Sequence, residues 1–167
     1  MNKYKSMERA WTLDSGILNI ESGVLVVHPE NILIGKNVCI GANVILEAYH
    51  KNKMIIMDNT WIGAGCFFHS AGGIVIGRSV GFGPGVKILT SEHTGVPAID
   101  PVIETELWFD SVEIGDGADI GAGAIILPGV KIGEGSVIGA GSVVTKGIHI
   151  PAYTVWAGNP CKFLRSR

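Results

Sequence analysis

From Val112 to Gly147 the chain reads VEIGDGADIGAGAIILPGVKIGEGSVIGAGSVVTKG. One large apolar residue returns at every sixth position through Ile114, Ile120, Ile126, Ile132, Ile138, Val144, Ile150 and Trp156. Two residues ahead of each runs a row of smaller side chains, Val112, Ala118, Ala124, Val130, Ser136 and Ser142. Positions i−2 and i point to the same side of a strand, so each hexad offers one small and one large inward side chain. Gly115, Gly121, Gly133 and Gly139 follow the large residue, where a sharp corner is expected to want glycine.

Working outward, the large row continues backwards as Ile76, Phe82 and Ile88, then Ile56, Ile62 and Phe68, then Ile34, Ile40 and Leu46. The step from Leu46 to Ile56 is ten and that from Phe68 to Ile76 is eight, which marks small corner insertions. The step from Ile88 to Ile114 is 26, so residues 91–110 leave the repeat as a loop carrying Pro97, Pro101, Trp108 and several acids. A six-residue period is the mark of a parallel β-helix, in which each coil packs on its neighbours. A glycine-rich β-sandwich would instead show strands of varied length separated by turns at about eight to twelve residues. The expected organisation is a capping segment over 1–30, an all-β helix over 31–160 interrupted by the 91–110 loop, and a short tail over 161–167.

Composition narrows the function classes. At 167 residues, 47% hydrophobic and 17% charged, the chain fits one folded domain and not a disordered segment. A formal charge of −2 provides no basic field for nucleic acid or an anionic membrane, so any anion site is local. Cys39, Cys66 and Cys161 form no CxxC pair and no complete disulfide set. The first sixteen residues lack the apolar core of a signal peptide, and no run has the length of a membrane helix. A soluble, cytoplasmic protein is expected.

The glycine-rich hexads, followed by VWAGNPCKFLR at Val155–Arg165 and joined by TSEH at Thr90–His93, resemble the hexapeptide-repeat acetyltransferases of the galactoside, maltose and polysaccharide O-acetyltransferase type. The resemblance covers about Asn31 to the C-terminus. It implies a left-handed helix, acetyl-CoA as co-substrate with no metal, and a homotrimer whose active sites lie between neighbouring subunits. It also implies His93 as the residue that activates the acceptor. The family's coenzyme A contacts fall on Ala122, Ala140, Thr145, Lys146, Lys162 and Arg165, the small residues beside the pantetheine arm and the cations at phosphates. His69 lies near the family's acceptor-binding asparagine. One departure stands out: Ala118-Asp119-Ile120-Gly121 occupies a hexad where the family often has VWIG, so the apolar wall beside the thioester is missing or comes from another residue such as Trp108.

The chemistry agrees. An acceptor hydroxyl or amine must lose a proton as it attacks a thioester, and imidazole accepts one near neutrality. Asp100, Glu104, Glu106 or a backbone carbonyl are the candidates to orient His93. His149 is expected to face solvent, His28 to occupy an inward slot six before Ile34, and His50 to lie in the four-residue insertion. Cys66 falls in an inward small-residue slot, as core rather than nucleophile, so transfer is expected to be direct. A γ-class carbonic anhydrase needs a histidine partner close to His93, and none follows it. The expected reaction is acetyl transfer to a sugar hydroxyl. N-acetylation of a nucleotide-linked amino sugar and a non-catalytic β-helix scaffold are the alternatives.

Overall fold

The computed structural model describes residues 18–49 and 51–167. Three parallel sheets wrap these residues into a triangular left-handed β-helix of six full coils, with a seventh begun. The first face stacks Leu18–Ile20, Val38–Ile40, Trp61–Ile62, Gly81–Phe82, Asp119–Ile120, Val137–Ile138 and Thr154–Ala157. The second runs from Leu25–Val27 through Ile45–Ala48, Phe67–Ser70, Lys87–Leu89 and Ile125–Ile126 to Val143–Val144. The third runs from Ile32–Ile34 through Met54–Ile56, Ile74–Ile76, Val112–Ile114 and Lys131–Ile132 to His149–Ile150. Lys162–Ser166 returns antiparallel against Thr154–Ala157. No helix among the described residues is long and apolar enough to cross a membrane.

The two rows read from the sequence form the core. Ile62, Phe82, Ile120 and Ile138 stack on one another fully enclosed, as do Phe68, Ile88, Ile126 and Val144. Each such side chain contributes about 1.5–3 kcal/mol by leaving water. Trp156 is only half-buried, because it ends the column.

Two expectations need correction. Leu18–Ile20 and Leu25–Val27 pair in register with Val38–Ile40 and Ile45–Ala48, so coils begin inside the segment expected to be a cap. The reason is a further corner insertion: the inward residue is Val26, eight before Ile34, and His28 falls on a left-handed corner at φ 54, beside Glu30. Residues 1–17 of that segment, and His50, lie outside the described residues. The glycine after each large residue also has a different role. Gly121 does not adopt a left-handed conformation; a Cβ there would sit 2.4 Å from Ala140 N, so it is needed for close stacking of coils. The left-handed corner comes two residues later, at Gly123 with φ +69.

Candidate active site

All chain insertions leave the prism at the corner between the second and third faces. The largest, 91–110, is a two-stranded ribbon and not an irregular loop: Ser91–His93 pairs antiparallel with Leu107–Phe109, with Glu92 opposite Trp108 and His93 opposite Leu107. Cross-strand partners project to the same side. Glu92 and Trp108 therefore share one side of the ribbon, and Ser91, His93, Leu107 and Phe109 the other.

His93 Nδ1 lies 3.0 Å from the carbonyl oxygen of Thr105. A carbonyl can only accept, so Nδ1 carries the proton and Nε2 keeps its lone pair. Of the groups expected to orient the ring, the backbone carbonyl does so. Thr105 is itself 8% exposed. Its hydroxyl donates to Val102 O at 2.7 Å and accepts from Gly95 N at 3.1 Å, closing the ribbon tip around the carbonyl that holds the imidazole. Nothing in the sequence pattern marked Thr105.

Lys146 reaches the ribbon from two coils away. Its Nζ donates to Glu92 Oε1 at 2.6 Å and stands 5.3 Å from the centre of the Trp108 ring. An exposed pair of this kind contributes at most about 1 kcal/mol. It nevertheless shows which side of the ribbon faces the later coils, and places Trp108 on the side opposite His93.

His69 projects from the second face one coil before the ribbon. Its Nε2 is 3.2 Å from Tyr49 Oη, and its Nδ1 is buried without a hydrogen-bond partner. A bare buried lone pair costs less than a buried N–H, so Nε2–H donates to Tyr49. Burial, helped by Glu47, pushes the Tyr49 hydroxyl above its ordinary pKa. Thr90 at the base of the ribbon donates to His69 O at 2.6 Å and accepts from Gly72 N at 2.8 Å, which ties ribbon and histidine strand together.

The residues expected to meet coenzyme A divide into two groups. Thr145 and Lys146 lie at the ribbon's corner. Ala122 and Ala140 lie exposed at the other edge of the second face, where it meets the first, stacked through Gly141 N to Ala122 O at 2.8 Å. Lys162 pairs with Ala157 beside that same edge, and Arg165 with Val155 on the first face; both are exposed. Cys66 is fully enclosed, its thiol donating to Gly83 O, and burial pushes its pKa up to about 11. That thiol is no nucleophile at neutral pH. His149 faces outward, as expected. No group of three or more His, Cys, Asp or Glu side chains is placed to hold a metal among the described residues.

Residues 111–146 match the family described as bacterial transferase hexapeptide (six repeats). Among solved structures, a maltose O-acetyltransferase from Clostridium difficile 630 is 33% identical, with 90% of this chain and 66% of that one covered and a TM-score of 0.64. AntD, an N-acyltransferase from Bacillus cereus in complex with dTDP and 3-hydroxybutyryl-CoA, is 24% identical over 100% of this chain and 91% of that one, with a TM-score of 0.73. A hexapeptide transferase family protein from Anaplasma phagocytophilum is 25% identical over 90% and 79%, with a TM-score of 0.65. No curated protein matches the chain in sequence. The repeats matched over residues 111–146 and the likeness to the maltose enzyme make this chain an acyltransferase built of hexapeptide repeats.

Proposed function

We propose that this acyltransferase moves an acetyl group from acetyl-CoA to a hydroxyl of a sugar or glycan precursor, with His93 as general base. The observation that carries the reading is the Thr105 carbonyl on His93 Nδ1, which leaves Nε2 as the basic nitrogen. Nε2 takes the acceptor proton as the oxygen attacks the thioester carbonyl. The C–S bond then breaks, and the imidazolium returns the proton to the leaving sulfur. The AntD complex holds the acyl donor 3-hydroxybutyryl-CoA, and the maltose enzyme supports a sugar hydroxyl as acceptor.

Ala122 and Ala140 lie along the pantetheine arm, Thr145 beside it, and Lys146, Lys162 and Arg165 near phosphates, where charged hydrogen bonds are strongest. His69, with Tyr49, borders the acceptor. Because the base and the two alanines occupy opposite edges of one face, the working site is formed between copies of the chain. The second face supports this: Leu25, Ile45, Phe67, Ile125 and Val143 project outward from it, in a row that Lys87 interrupts. A cytoplasmic homotrimer is the assembly we favour.

N-acylation of a nucleotide-linked amino sugar is the second reading, favoured by the full-length likeness to AntD. Replacing His93 by Ala should lower turnover at least about 100-fold, with acetyl-CoA affinity and melting temperature unchanged. Thiol release with panels of sugars and nucleotide-linked amino sugars separates the two readings. Turnover within a few-fold of wild type in His93→Ala removes the base assignment.

A further inference from the structure

On the first face, Trp61, Gly81 and Asp119 occupy the outward slot of three consecutive strands, Trp61 opposite Gly81 and Gly81 opposite Asp119. Gly81 is a glycine the fold does not require. A Cβ built there meets a single atom within 4 Å, Asp119 Oδ1 at 3.2 Å, and its φ is not left-handed. By contrast, a Cβ at Gly83, two residues on, would lie 2.4 Å from Ala122 N. A valine at Gly81 would suit an outward strand position better than glycine. The missing side chain leaves a gap one strand wide, with flanking strands about 9.5 Å apart from twice the usual inter-strand spacing.

The walls of that gap are an indole and a carboxylate. Trp61 is 51% exposed, and neither its Nε1–H nor the Asp119 carboxylate has a hydrogen-bond partner among the described residues. An aromatic face carries negative charge density that suits the polarised C–H bonds on one side of a pyranose ring. An unpaired carboxylate accepts from sugar hydroxyls, and Asp119 Oδ1, 3.2 Å from the Gly81 Cβ position, reaches over the floor to meet a ring laid against the indole.

Position supplies the rest. Asp119 precedes Ala122 by three residues in the same coil, so the groove adjoins the edge proposed for the pantetheine arm. His93 stands at the far edge of the second face, and Trp108 is held under Lys146 on the ribbon side away from it. The ribbon meanwhile exposes Val96, Ile99, Val102, Ile103, Leu107 and Phe109, apolar side chains with nothing to cover them in a single chain. We infer that Trp61, Gly81 and Asp119 of one copy form the seat for the acceptor's sugar ring, against the ribbon and His93 of a neighbouring copy. This inference rests on the proposed sugar acetyl transfer. It places the aromatic wall, absent from the Asp119 slot, two strands earlier.

Kinetics with the best sugar acceptor test it on the full chain. Trp61→Ala should raise the acceptor KM tenfold or more, and Asp119→Asn several-fold, with kcat and acetyl-CoA affinity near wild type. Gly81→Val, which fills the floor, should raise the KM as far as Trp61→Ala and leave the melting temperature unchanged. Copies of His93→Ala and Trp61→Ala, unfolded together and refolded one to one, should recover about a quarter of wild-type activity at low acceptor concentration. In a closed ring, that is the fraction of sites pairing an intact His93 with an intact neighbouring Trp61. No recovery overturns the shared seat, and wild-type acceptor KM in Trp61→Ala and Gly81→Val overturns the sugar seat. In either case the transfer reading stands if wild type is active and His93→Ala is not. Wild type that acetylates no sugar overturns the transfer reading itself, and the seat with it.

Discussion

Thr105→Val asks whether the ribbon tip or the imidazole alone makes the base. The replacement is nearly isosteric and removes only the hydroxyl, which donates to Val102 O at 2.7 Å and accepts from Gly95 N at 3.1 Å. Each bond contributes about 0.5–1.5 kcal/mol, so the closed tip loses on the order of 2 kcal/mol against frayed alternatives. At about 1.4 kcal/mol per tenfold, the population with the Thr105 carbonyl seated on His93 falls by up to roughly 30-fold. Turnover should fall by a similar factor, because the ring loses the partner that keeps the proton on Nδ1. The ribbon packs outside the coil columns, so global melting should move by no more than about 2 °C. Thr105→Ser keeps the hydroxyl and should stay close to wild type. Steady-state thiol release, with a thermal melt as control, decides it. Turnover of Thr105→Val within twofold of wild type, or an equal loss in Thr105→Ser, refutes the hydroxyl's role.

Cys66 and Cys161 are enclosed, and burial raises both thiol pKa values, so iodoacetamide should label only Cys39 in the native protein and all three after unfolding. The Cys66 thiol ionises near 9 when exposed and at about 11 when folded. Its stabilising contribution is therefore complete below about pH 9 and lost as pH climbs to about 11, and denaturant midpoints across that range should fall less steeply in Cys66→Ala. Gly121→Ala places a Cβ 2.4 Å from Ala140 N and 2.7 Å from Ile138 O, backbone that can yield only by spreading two coils. It should cost about 1–3 kcal/mol, seen as a melting-point drop of roughly 3–10 °C.

The coils were legible because each residue repeats an inward or outward duty every six positions, so Ile120 and Ala118 could be placed from spacing alone. The first coil was missed where an insertion broke that count: the eight-residue step from Val26 to Ile34 put His28, and not an aliphatic, six before Ile34. His93 stood out through TSEH and the interrupted repeat. Its partner did not, because a main-chain carbonyl leaves no trace in residue identity, and Thr105 gained its place only when the ribbon folded back on itself. Lys146 was readable as a cation but not as a tie to Glu92 and Trp108, since nothing in the sequence tells which way the ribbon leans. Trp61 and Gly81 were hidden because an outward strand slot tolerates most residues. Only the absence of backbone atoms near its Cβ position shows that the glycine at 81 is not demanded by the fold.

Each of the first four coils is longer than the bare repeat, and every surplus residue emerges at the corner between the second and third faces. The next two coils add nothing. Growth confined to one edge leaves the hydrogen-bonded registers of all three faces untouched, since a coil lengthened there rejoins its neighbour in phase. The edge that carries His93 is thus also the one free to drift in length. A ribbon of another length or sequence could therefore be grafted between Thr90 and Ser111 without shifting the core registers.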